Sequence, residues 1–344
     1  MIAKTTVQNI AYESEISAIG ITVAAPLFDI LTLIRKHPEY TIRFQNESEI
    51  ENKNNPLSVL PSARSVIVAF QPYPVIEIEK IPPLYGLLAP FARSNYYKEL
   101  RKKLEKMAKE LKKRYGGDYY ISINGNKLFE KPLAVKSGLG FYGKNSLVIN
   151  EKFGSYGVLG CLVTSLEIEQ DSPSQLTCGK CEICKNACPS GGIDGSGVMF
   201  ASKCLQHICQ QDHIADEYIL LMKQTLYGCN ICQDVCPFNK RAEKRHELSI
   251  YGYLGEALYL PDIIYLSDRE WREKFKGYQL GANWLSPIAI IKNALIAIAN
   301  SNSSDSILIL KEFIGKGRPE LKLLAEKLVE TSVIVTSKIN AHLT

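Results

Sequence analysis

Cys178-Gly-Lys-Cys181-Glu-Ile-Cys184-Lys-Asn-Ala-Cys188-Pro189 has the spacing C-x2-C-x2-C-x3-C-P. Four thiols this close together cannot all face a hydrophobic core. The spacing wraps a tight loop around an iron–sulfur cubane: three sulfurs bind one cluster, and the fourth, followed by proline, points to a second. The complementary half is Cys229-Asn-Ile-Cys232-Gln-Asp-Val-Cys236-Pro237. By the crossed ligation of two-cluster ferredoxins, Cys178, Cys181 and Cys184 pair with Cys236. Cys188, Cys229 and Cys232 then hold the other cluster, one ligand short. Cys204 or Cys209 supplies it, and spacing does not choose between them. A pair of four-cysteine zinc sites also uses C-x2-C steps. Three consecutive short steps with a trailing proline are unusual for zinc, and they favour two [4Fe–4S] clusters.

Nine of the ten cysteines lie between Cys178 and Cys236 in a chain of 344 residues, 46% hydrophobic and 22% charged. Such values exclude a disordered or fibrous chain, and the length allows about two domains of ~150 residues. The formal charge is +5; each cluster with its four thiolates contributes about −2, which leaves about +1. The start, Met1-Ile2-Ala3-Lys4-Thr5-Thr6, has neither an apolar export segment nor a twin arginine. No uninterrupted apolar run approaches the ~18 residues of a spanning helix. A cytoplasmic protein without a membrane segment is expected, where clustered cysteines mean metal rather than disulfides.

Around the cysteines the pattern predicts three segments. Residues 1–170 read as an α/β domain, with strands at 65–70 and 118–124 and a hairpin of 146–150 with 158–164 around Lys152-Phe153-Gly154-Ser155. Between the first two strands, Leu100, Leu104, Met107, Ala108 and Leu111 form one face of a helix over 96–114. Residues 171–245, opening on the linker Asp171-Ser172-Pro173-Ser174, form a two-cluster ferredoxin-like domain. Residues 246–344 read as helical and HEAT-like, with a capping box at Ser267-Asp268-Arg269-Glu270 and helices over 287–299, 306–314 and 319–331. The whole is a multidomain mixture of α/β and α+β. A ferredoxin alone needs none of the flanking sequence, so the outer domains should accept the electrons. Gly138-Leu-Gly140-Phe-Tyr-Gly143 matches a dinucleotide fingerprint in letters, but no apolar strand precedes it. Its glycines are expected to let the backbone approach a large planar or anionic ligand.

The order of motifs resembles the epoxyqueuosine reductase family. The residues that carry the resemblance are Lys131-Pro132-Leu133-Ala134, Lys136-Ser137-Gly138-Leu139-Gly140-Phe141, Gly143-Lys144-Asn145-Ser146-Leu147, both cysteine motifs with Tyr227-Gly228-Cys229 and Cys236-Pro237-Phe238-Asn239, and Ala92-Arg93-Ser94-Asn95-Tyr96-Tyr97-Lys98. It runs from about residue 60 to 300. The resemblance implies a cobalamin in the N-terminal domain, reduced through the clusters, and reduction of epoxyqueuosine to queuosine in the anticodon loop of tRNA. It implies cofactor contacts from Lys136, Gly138, Gly140, Phe141, Gly143, Lys144, Asn145 and Ser146. It also favours Cys204, in Lys203-Cys204, as the missing ligand, and places the Cys188/Cys204/Cys229/Cys232 cluster next to cobalt. None of the five histidines (His37, His207, His213, His246, His342) sits in an Asp-x-His-x-x-Gly setting, which fits a corrinoid bound without a histidine ligand.

The sequence departs from the family at its chemistry. The family's proton-donating aspartate corresponds to Asn124, which has no titratable proton; a strand-end turn is the plain alternative for its Asn-Gly context. The family's usual tryptophan is Phe141, and its Asp-Tyr-His is Asn95-Tyr96-Tyr97. Tyr97, Glu130 and Tyr142 are the substitute acids. Two other functions follow from these departures: a cobalamin-dependent reductase of a small molecule, resembling reductive dehalogenases, or a non-enzymatic electron carrier that reduces a partner's corrinoid. An external low-potential electron donor is implied in each case. From Lys98 to Arg114 there are nine Lys/Arg and three Glu, a face for RNA phosphates or a solvated helix with Glu-to-Lys/Arg pairs. Lys240, Arg241, Lys244 and Arg245 form a second basic patch.

Overall fold

The computed structural model describes residues 1–28, 32, 46–125, 127–301 and 303–341; His37 and His342 lie outside them. In chain order the strands are β1 (Ala18–Val23), β2 (Ser65–Pro72), β3 (Tyr85–Leu88), β4 (Tyr119–Ile123), β5 (Phe141–Tyr142), β6 (Val148–Ile149), β7 (Gly157–Thr164), β8 (Thr225–Tyr227) and β9 (Ala257–Tyr259). Helices of seven or more described residues are α1 (Lys4–Glu13), α2 (Glu47–Asn54), α3 (Tyr96–Tyr115), α4 (Glu130–Lys136), α5 (Asp268–Lys274), α6 (Pro287–Ala299), α7 (Ser306–Lys316) and α8 (Lys322–Ala341). The chain forms two interleaved compact units. Unit 1 is Met1–Val75, Tyr96–Ala201 and Ile231–Tyr251; unit 2 is Ile76–Asn95, Ser202–Asn230 and Gly252–Thr344. These bounds do not follow the expected consecutive segments 1–170, 171–245 and 246–344. The reason is strand pairing: β3, early in the chain, pairs with β8 and β9.

Unit 1 is built on a four-stranded sheet ordered β1-β2-β7-β4, antiparallel throughout. All eight residues of β2 are buried, because it pairs on both sides and is covered on both faces. Val66, Val68 and Phe70 pack with Leu133 and Ala134 of α4. On the other face, the bare Gly160 lets Leu100 and Leu104 of α3 close onto β7. Burial on both faces produces a continuous apolar run instead of alternation. The expected helix is α3, with Leu100, Leu104, Met107 and Leu111 fully buried.

The expected hairpin is not formed. Asn150 and Gly154 do close a tight turn, with N–H to O distances of 2.8 and 2.9 Å. However, β6 pairs with β5, because β2 and β4 already occupy both edges of β7. Nor does residue 171 begin a free linker: the Asp171 carboxylate accepts from the Ile21 N–H at 3.0 Å and from Lys4 Nζ at 3.1 Å.

Unit 2 holds a three-stranded sheet ordered β8-β3-β9 and the helices α5–α8. The capping box forms in both directions, Ser267 Oγ accepting from Glu270 N at 3.3 Å and Glu270 Oε2 accepting from Ser267 N at 2.9 Å. α6 matches its expected bounds and is apolar nearly all round, which suits a helix at the centre of a core. Lys292 and Asn293 lie in its middle, both fully buried. No helix among the described residues is long and apolar enough to cross a membrane.

Candidate iron–sulfur and reaction site

Folding of unit 1 brings Cys178, Cys181, Cys184 and Cys236 together. A turn closed by Cys181 N–H to Cys178 O (3.1 Å) curls the first motif, with Gly179 at φ +52°. Cys178 and Cys236 pack with Phe141, Ile149 and Phe238. Burial pushes the Cys178 thiol up; the Lys144 backbone N–H pulls it down, and Cys236 and Cys181 add to the rise. Burial also raises Cys184, followed by the charge of Cys178. The four thiols lie within electrostatic reach of one another.

The four cysteines expected at the second cluster lie two in each unit. In unit 1, Cys188 ends the short helix Ile183–Ala187 and its Sγ accepts from Gly192 N–H at 3.3 Å. Cys232 lies in the turn Ile231–Asp234. In unit 2, Cys204 precedes the turn Leu205–Ile208, and Cys229 N–H donates to Gln206 Oε1 at 3.1 Å. Cys209 is different: it is 0% exposed, its thiol donates to Gln206 O at 3.2 Å, and its sulfur accepts from Gly228 N–H at 3.3 Å. Burial pushes this thiol up to about 12.

The glycine segment is seated on Cys178, Cys232 and Cys236 of the same unit, and its glycines are tightly packed. A Cβ on Gly138 would meet Ser172 O at 2.2 Å, on Gly140 Ile149 O at 2.5 Å, and on Gly143 Asn145 Oδ1 at 2.6 Å. The Cβ direction of each is taken by the chain itself, so these glycines let the backbone pack closely on its own neighbours. Phe141 is likewise buried, stacked edge-on to Phe238. Asn145 is buried, with Nδ2 3.5 Å from Cys232 O. Lys136, Lys144 and Ser146 are half-buried and Tyr142 is 37% exposed.

Asn124 and Gly125 both have φ +63°, the tandem left-handed turn for which Asn-Gly is suited. Glu130, at the start of α4 and 7% exposed, fastens this turn. Its Oε2 accepts from Gly125 N–H at 2.7 Å, and its Oε1 from Ser122 Oγ at 3.2 Å. Burial lifts its carboxyl to about 7, against the opposing pull of these hydrogen bonds. Tyr97 is close enough that, after burial, Glu130 helps raise its phenol to about 12. The structure therefore gathers Asn124, Glu130 and Tyr97, while Tyr142 stands on β5.

Some site residues carried no chemical signal in the sequence. Asn239 is the buried clasp of the second cysteine motif. Its Oδ1 accepts from Ser155 N–H at 2.7 Å, and its Nδ2 donates to Gln233 O at 2.8 Å and Ser155 Oγ at 2.9 Å. Asn239→Ala should destabilise unit 1 by about 2–4 kcal/mol through buried groups left unpaired, read as a fall in denaturation midpoint. An unchanged midpoint would remove this role.

The second basic patch is smaller than expected, because Arg245 turns inward. It donates to Glu99 Oε1 at 2.8 Å and to Pro72 O at 3.1 Å. On α3, Lys102, Lys103, Lys106 and Arg114 are ion-paired with glutamates. Arg101 and Lys109 line a groove of about 490 Å³ along α3 and β4, together with Ser122, Ile123 and Lys127.

Residues 177–239 match the 4Fe-4S double cluster binding domain family, which supports iron–sulfur clusters over the zinc alternative. Epoxyqueuosine reductase of Lactococcus garvieae is 31% identical over 315 residues, covering 88% of this chain and 88% of that protein. The structure of epoxyqueuosine reductase from Streptococcus thermophilus has TM-score 0.83 and 30% identity, covering 94% of this chain and 88% of its own. Epoxyqueuosine reductase with a tRNA-Tyr epoxyqueuosine-modified stem loop has TM-score 0.86 and 25% identity, covering 96% and 90%. With a 31% identical relative covered over most of its length, this chain belongs to the epoxyqueuosine reductase family.

Proposed function

We propose that the protein reduces epoxyqueuosine to queuosine in tRNA, using two [4Fe–4S] clusters and a cobalamin, in the cytoplasm and with electrons from an external low-potential donor. The observation that carries this reading is the packing of segment 138–146 on the cysteine motifs: Lys144 N–H at the Cys178 sulfur, Asn145 at Cys232, and Phe141 against Cys236. A group bound on that segment lies beside the electron source. Cobalamin suits this position, and its contacts would come from the half-buried or exposed side chains Lys136, Tyr142, Lys144 and Ser146, with the glycines shaping the backbone. The chemistry such a corrinoid supplies is a strongly reducing cobalt centre.

Cys178, Cys181, Cys184 and Cys236 hold one cluster; Cys188 and Cys232 of unit 1 and Cys204 and Cys229 of unit 2 are the remaining cluster ligands. Cys204 is preferred to Cys209 because the Cys209 thiol is enclosed in the core and hydrogen-bonded as donor and acceptor. Glu130 is the proton source in place of the aspartate that Asn124 replaces, and delivers its proton to the oxygen leaving the epoxide. The groove beside it, with Arg101, Lys109 and Lys127, takes RNA phosphates. The C-terminal helices α6–α8 form a HEAT-like segment.

Asn124 is the observation that favours a second reading, reduction of a small molecule. Anticodon stem-loop binding at low salt separates the two. Oxygen-free purification should yield about eight irons and one corrinoid per chain; zinc without iron would overturn the proposal.

A further inference from the structure

Lys292 is a buried cation with no carboxylate partner. Its residue is 0% exposed at the centre of α6. Nζ donates to Gln211 O at 2.6 Å and Ile208 O at 3.1 Å, at the end of the turn that begins at Cys204. Among the described residues it has no ion pair. The titratable groups that act on it are Cys209 and the exposed Asp212. Next to it, Asn293 Nδ2 donates to Cys209 O at 2.8 Å and Leu226 O at 2.9 Å. Thus α6 grips both stretches of unit 2 that carry cysteines of the second cluster, the one after Cys204 and the one before Cys229.

An ammonium is kept out of water only where something compensates it. Two carbonyls offset part of the cost. Cys209 offers no anion, since burial holds it as a neutral thiol. Lys292 itself is lowered by burial to about 8, so it remains mostly charged at neutral pH. The large negative charge that belongs in this neighbourhood is a thiolate-ligated cubane, about −2 when oxidised and about −3 when reduced.

We propose that Lys292 is the counter-charge of the second cluster and raises its reduction potential, with Asn293 as the positioning residue for the stretches bearing Cys204 and Cys229. The inference rests on the reading of Cys204 and Cys229 as cluster ligands. A cation stabilises the more negative, reduced cluster more than the oxidised one, so its loss disfavours uptake of an electron.

The test is redox titration of the anaerobically reconstituted full chain, followed by electron paramagnetic resonance, for Lys292→Gln and Lys292→Arg. Glutamine keeps an N–H donor for the two carbonyls and removes the charge; arginine keeps the charge. In Lys292→Gln the reduction equilibrium of one cluster should fall on the order of tenfold, the effect of removing one nearby unit charge at an effective dielectric constant of about 20. That is about 59 mV for one electron. The other cluster should not move, and Lys292→Arg should titrate like the wild type. Equal potentials in the wild type and Lys292→Gln, with both clusters present, would overturn the proposal. If Lys292→Gln loses iron, Lys292→Arg decides: wild-type iron and potential support the counter-charge, and loss of either shows that packing alone matters. Absence of iron from the wild type would instead refute the cluster reading.

Discussion

Glu130→Gln is expected to lower turnover of an epoxyqueuosine-containing stem loop by about 100- to 10,000-fold, the usual worth of a positioned general acid. Glutamine retains the shape and can still accept from Gly125 N–H, so the turn it fastens persists. What disappears is the proton. The wild-type rate should be flat at low pH and fall as pH rises through about 7, because an acid with that pKa is progressively emptied above it. The residual activity of Glu130→Gln should lack this fall. Adding Asn124→Asp to Glu130→Gln should restore at least about tenfold, since aspartate tolerates the left-handed backbone at position 124 and returns an acid to the site. An active Glu130→Gln with an unchanged pH profile would exclude Glu130.

Cys236→Ser should remove one cluster entirely. Iron should fall from about eight to about four per chain, and turnover should be lost, because electron delivery is interrupted. The same substitution at Cys209 should leave both clusters in place and cost only stability, since that sulfur is a buried packing group. Iron analysis of the two variants separates ligand from core thiol. A Cys236→Ser protein with full iron would contradict the crossed pairing.

Legibility in the sequence followed locality. The C-x2-C-x2-C-x3-C-P run, the Ser267 capping box and the helices over 96–114 and 287–299 depend on residues a few positions apart, and the structure reproduces both the helices and the cap. The 146–164 hairpin failed because its turn is local but its strand edges are not: β2 and β4 outcompete β6 for β7. Likewise, nothing near Tyr85–Leu88 announces that β3 pairs with strands far down the chain. At the site, donor types could be read from spacing, whereas burial could not. Spacing treats Cys204 and Cys209 alike, and their burial differs only once the core has closed around Cys209. Asn239 stands in a quoted motif without a role, and Lys292 is silent; the meaning of both comes from what they touch.

The most direct measurement is single-turnover reduction of an epoxyqueuosine-containing tRNA-Tyr stem loop by the iron- and cobalamin-loaded protein under strict anaerobiosis with a low-potential reductant. Formation of queuosine, dependent on both clusters, is the predicted result. A fully loaded protein that neither binds the stem loop nor converts it would contradict the assignment.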